Sequence, residues 1–141
     1  MSLKKINTVL AAAFILFILW FGTEFILSPE TTAPGFGLPS WPRGDGGGFL
    51  VVKGVRDVVM ALVLAVLLVT GHRRALGLVL LVEALAAYGD MTNVLAHHGS
   101  VATALGVHGL TATLMVVNGL LIMRETRNVA AAPATPAPQP A

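Results

Sequence analysis

The stretch FLVVKGVRDVVMALVLAVLLVTGHRRALGLVLLVEALAAYGDMTNVL, residues 49–95, decides the fold. It holds two apolar runs, 49–70 and 75–95, joined by Gly71-His72-Arg73-Arg74. Each run has the roughly 20 residues needed to cross a hydrocarbon core of about 30 Å. Glycine stops a helix, and so short a connection makes its two helices antiparallel neighbours.

The same reading extends outward on both sides. Upstream, Lys4 and Lys5 precede an apolar run over 9–27, interrupted only by Gly22, Thr23 and Glu24. A secretory signal has a shorter apolar core of about 7 to 15 residues and ends at a small-x-small site. Thr23-Glu24-Phe25-Ile26-Leu27 offers no such site, so the run is read as a first span. Downstream, His97-His98-Gly99-Ser100 turns the chain into a fourth run over 101–123. The expected fold class is all-α, an antiparallel bundle of four transmembrane helices over residues 1–127. Between the first two spans, residues 28–48 are rich in proline and glycine, from Pro29 and Pro34 to Gly46-Gly47-Gly48, and read as a loop. Its Phe36, Leu38 and Trp41 suit a membrane interface, which leaves a solvated linker and a lid as alternatives. The Ala/Pro tail over 128–141 is expected to be extended and disordered.

Composition agrees. Charged residues make up 11% and hydrophobic ones 55%, against about 25% charged in a soluble domain. A water-soluble fold would lack polar surface to cover itself. The net charge of +2 comes from few groups, and the basic residues cluster at span ends rather than in a stripe, so no nucleic-acid partner is expected. The chain has no cysteine, which excludes disulfides, thiolate chemistry and Cys-ligated metal centres. Lys4, Lys5, Arg73, Arg74, Arg124 and Arg127 fall on one face only if there are four spans, and the positive-inside rule makes that face cytoplasmic. The chain is therefore expected in the cell membrane as a multi-pass protein with both termini in the cytoplasm.

Against this apolar background several charges stand out. The second span carries Lys53, Arg56 and Asp57 within its first turns, and at 1.5 Å per residue the last two lie about 10 to 12 Å below its outer end. The third carries Glu83 near its middle, then Asp90 and Asn93. Glu83, Asp90 and His97 recur every seven residues on one face. The fourth span places His108 about two turns in. A charge at the bilayer centre costs at least about 2.5 to 3.5 kcal/mol, so these groups must face one another or a cavity. The expectation is a polar pocket in the outer half, open outward and floored near Glu83. Arg56 and Asp57, adjacent and about 100° apart on a helix, should satisfy each other poorly. Arg56 is better matched to Asp90, then Glu83, while Asp57 can meet Lys53 or, across the bundle, His108. Gly54, Gly77, Gly89, Gly106 and Gly109 would supply close helix packing.

Gly54-Val55-Arg56-Asp57 ahead of an apolar helix, Gly89-Asp90 late in the third span, the glycine after the His97-His98 turn, and His108 form a recognisable set. Over about residues 7–125 the chain resembles a family of small four-helix membrane proteins known only as a domain of unknown function. More loosely, it is similar to the DoxX-like superfamily. The resemblance implies a shared polar motif at Arg56, Asp57, Asp90 and His108, and it implies no reaction.

The function expected from the residues is binding of a small or lipophilic molecule in the pocket, with acid–base transformation such as isomerisation, cyclisation or epoxide opening as its catalytic form. Asp57, Asp90 and His108 are the candidate catalytic groups, and Arg56, Glu83, Asn93 and Lys53 the candidate ligand-binding ones. Whether the chain is an enzyme is left open, and no cofactor can be named. No metal is expected either: His97, His108, Asp90 and Asp57 are suitable ligand types without ligand spacing. Two alternatives are an accessory subunit docked to a membrane-protein partner and proton- or cation-coupled transport by a homo-oligomer.

Overall fold

The computed structural model describes residues 2–130, and among these no strand occurs. The first long helix, α1, is Leu3–Leu27, capped by Ser2, whose hydroxyl accepts from the Lys5 amide. The second, α2, is Gly48–Val69, and the third, α3, is Arg73–Ala96. The last, α4, begins as Val101–Thr103 under a Ser100 cap, passes through a π-helical segment, Ala104–Gly109, and continues as Leu110–Ala130. It therefore runs beyond the expected end at 123 and takes up the first residues assigned to the tail. Residues 131–141, the rest of that expected tail, lie outside the described residues.

Leu3–Leu27, Arg73–Ala96 and Val101–Arg127 are long and apolar enough to cross a membrane. Gly48–Val69 is of similar length and carries Lys53, Arg56 and Asp57 in its N-terminal half. Val59, Val63, Leu85 and Leu120 are among the large apolar side chains exposed on the bundle's outside. Such an outward apolar surface suits hydrocarbon rather than water.

The helices pack as two pairs, α1 with α2 and α3 with α4, and the pairs close on each other through α1–α4 and α2–α3 contacts. Each pair crosses at a glycine couple. A Cβ on Gly54 would lie 2.6 Å from the Gly22 carbonyl oxygen, and one on Gly119 would lie 2.9 Å from the Gly77 carbonyl oxygen. Small residues are what let membrane helices approach this closely. Gly54, Gly77 and Gly109 thus pack as expected, whereas Gly89 and Gly106 have nothing within 4 Å. The α2–α3 turn uses Gly71 at φ 75°, a left-handed backbone that other residues adopt only at a cost.

The connection over 28–48 is folded down onto the bundle. It forms a one-turn helix, Pro29–Thr32, and two 3₁₀ turns, Ala33–Phe36 and Gly44–Gly47. Ala33 and Phe36 are buried with Phe25, Val94 and Ala104 in an apolar cluster at this end of the bundle. Gly37, at φ 98°, reverses the chain, and its carbonyl accepts the Ser100 amide at 2.8 Å. Of the two readings left open by the sequence, the packing favours the lid. At mid-bundle a second core, including Phe14, Leu64, Leu80, Met115 and Ile122, fills the space between the pairs.

Candidate functional site

Between the two helix pairs, beneath the lid, lies a cavity of about 70 Å³. At roughly 15 Å³ of such space per water it has room for about five waters or one small head group. All four long helices line it: Phe17 and Phe21 from α1; Lys53, Arg56, Asp57 and Met60 from α2; Glu83 and Asp90 from α3; His108, Thr111 and Met115 from α4. Six of the seven residues expected to form a site are brought together. Asn93 is not: it follows Asp90 by three residues, which turns it about 60° off the stripe, and it is exposed. His97 is exposed as well, with Nδ1 2.9 Å from the Asn93 carbonyl of its own helix.

Asp57 is the most heavily engaged group. It is buried and ion-paired to Lys53 one turn earlier on α2. Contrary to expectation it also takes Arg56, whose Nη2 and Nε donate to Oδ1 at 3.2 and 3.3 Å. The 100° between neighbouring positions separates their Cβ atoms, but the long Arg side chain folds back across it. Arg56 then reaches Asp90 only at 3.9 Å, with half its side chain exposed. Lys53 Nζ lies 4.5 Å from the Phe25 ring centre, 5.1 Å from Phe21 and 5.2 Å from Phe36. An ammonium over ring faces is stabilised by their quadrupoles, so this lysine is satisfied on both sides.

His108 lies in the π segment, where the helix widens at a position that frequently serves a site. It does not meet Asp57. Its Nε2–H donates to the Phe36 carbonyl at 2.9 Å, and its ring lies 4.8 Å from the Phe36 ring. The carbonyl can only accept, so Nε2 is the donating nitrogen of this bond. Glu83 is buried, 9% exposed, and its Oε2 has no hydrogen-bond partner. Chemically, then, Asp57 is spent on two cations, while Asp90 and Glu83 keep capacity for a ligand.

A family model described as a domain of unknown function (DUF4267) matches residues 15–122. The chain belongs to this family. The DUF4267 match takes in every residue lining the cavity, and the Gly54-Val55-Arg56-Asp57 stretch falls inside it. Comparison with curated proteins and with solved structures returned no match.

Two polar features of this DUF4267 chain escaped the sequence reading. At the end of the bundle that holds the α2–α3 turn, Glu125 accepts from Arg73 Nη2 at 2.8 Å, Arg73 Nε at 3.2 Å and Asn7 Nδ2 at 2.9 Å. Arg73 Nη1 also donates to Thr8 Oγ1 at 3.0 Å, so one node ties α1, α3 and α4. Asn118 on α4 is wholly buried, with neither amide atom partnered.

Proposed function

We propose that this small helical membrane protein spans the cell membrane four times, with both termini in the cytoplasm, and binds a small or lipophilic molecule in the cavity between its helix pairs. The observation that carries this reading is the convergence of Lys53, Arg56, Asp57, Glu83, Asp90 and His108 from three helices on one cavity. Holding helices together does not require so many charges, because buried ion pairs seldom add net stability and the glycine crossings already supply close contact. The charges on α2 count against it as a span in composition alone, but Asp57 and Lys53 neutralise each other within the bundle. A fourth span also places the Lys4–Lys5 end, Arg73–Arg74 and Arg124 on one side, in keeping with the positive-inside rule.

The packed core of Phe14, Leu64, Leu80 and Met115 supports a blind-ended pocket over a path through the bundle. For acid–base chemistry, the groups with capacity to spare are Asp90 and Glu83, with His108 beside them in the lining. Asp57 serves to hold the two cations.

Native mass spectrometry of the full chain released from its membrane tests the binding reading. Wild type is expected to carry a small molecule whose occupancy falls at least about tenfold in folded Asp90→Asn, a loss of 1.4 kcal/mol or more. An empty wild-type protein carrying a stoichiometric protein partner would instead support the accessory-subunit role.

A further inference from the structure

Resting on that reading, we infer that the cavity's ligand is a protonated amine on an apolar body, its ammonium group seated on Glu83. The charges of the lining are unequal. Lys53 and Arg56 stand against Asp57, Glu83 and Asp90, so carboxylates outnumber the Lys and Arg cations by one, and His108, the other titratable group of the lining, is turned to the Phe36 carbonyl through Nε2. Both cations are committed, Lys53 to Asp57 and three phenyl rings, and Arg56 to Asp57 and more distantly Asp90. Glu83 therefore holds the surplus, buried and with Oε2 unpartnered.

Something must neutralise a carboxylate at that depth, and a proton does half the task. It removes the charge but leaves a polar group that still has no hydrogen-bond partner, which itself costs about 1 to 3 kcal/mol. An ammonium supplies countercharge and donors together. A bare metal ion fits less well: among the described residues no three His, Asp or Glu side chains are grouped closely enough to hold one, although four of them line the cavity. Apart from Thr111, the remaining walls, among them Phe17, Phe21, Met60, Val107 and Met115, are apolar or aromatic and suit a hydrocarbon body.

The full chain in phosphatidylcholine nanodiscs, titrated calorimetrically with cyclohexylamine at neutral pH, tests this. Saturable binding is expected, at least about thirtyfold weaker in Glu83→Gln, the order seen when a buried charge pair loses one partner. Cyclohexanol, of the same shape without the charge, is expected to show only partition into lipid. Equal binding of the alcohol, or amine binding unchanged in Glu83→Gln, overturns the inference. So does a wild-type protein that binds neither. If Glu83→Gln does not fold, the amine-against-alcohol comparison on wild type decides alone. A neutral or acidic molecule found by mass spectrometry would overturn the amine and leave the pocket reading standing.

Discussion

Glu125→Ala is expected to remove about 3 to 5 kcal/mol of bundle stability, the cost of leaving a largely buried partner charge uncompensated. The magnitude follows from what the carboxylate serves. Its two oxygens take three donors, Arg73 Nε, Arg73 Nη2 and Asn7 Nδ2, and the Arg73 and Glu125 side chains are only 14% and 12% exposed. Truncation strands a guanidinium and an amide together. Glu125→Gln keeps one acceptor and loses the charge, so about half that cost is expected. Arg73→Met with Glu125→Met should recover most of the stability, since an apolar pair of similar volume often replaces a buried ion pair at no loss. Equilibrium unfolding in mixed micelles, followed by helicity, measures all three. A Glu125→Ala change below about 0.5 kcal/mol would mean that water solvates the node and that it does not hold the bundle shut.

The contrast between this node and the cavity shows what the sequence makes legible. A charge inside an apolar run is conspicuous, which is why Lys53, Arg56, Asp57, Glu83, Asp90 and His108 could be named and their common depth inferred. Glu125 sits in Arg124-Glu125-Thr126-Arg127, where it reads as one more charge at a helix end. Its place beside Arg73 and Asn7 depends on α4 continuing past Met123, which apolar periodicity does not report because the last turns are polar. The partner of His108 was illegible for another reason: it is the backbone carbonyl of Phe36, and any residue carries a carbonyl. Asn118 could have been found. Positions 104, 108, 111, 115, 118, 122 and 125 step by four and three along one face of α4, and an Asn on such a seam is a buried amide. The lid was half legible, since Phe36 and Trp41 mark an apolar segment but not the surface it covers.

Gly54→Ala and Gly89→Ala make the same chemical change on neighbouring helices and are expected to act in opposite directions. At Gly54 the new methyl would lie 2.6 Å from the Gly22 carbonyl oxygen and 2.9 Å from Phe25 Cβ. Both belong to backbone or to atoms fixed to it, so no side-chain rotation relieves the clash and α1 and α2 must separate. About 2 to 3 kcal/mol should be lost, the upper part of the range for overpacking. The effect reaches the site: Phe21 and Phe25 lie beside this crossing and face Lys53, and their separation from α2 sets how tightly Lys53 and Asp57 are held. At Gly89 nothing lies within 4 Å, so Ala adds no clash and gains up to about 1 kcal/mol of helix propensity. Unfolding of the purified chain gives both signs, and ligand occupancy should fall only in Gly54→Ala. The same pair separates a self-sufficient binding protein from a subunit of a larger assembly. Gly89 is exposed on α3, and a partner helix docked there would make Gly89→Ala a clash in the membrane. A Gly89→Ala protein that is stable when purified but is lost from cells would point to such a partner; equal abundance in both settings would leave that face to lipid.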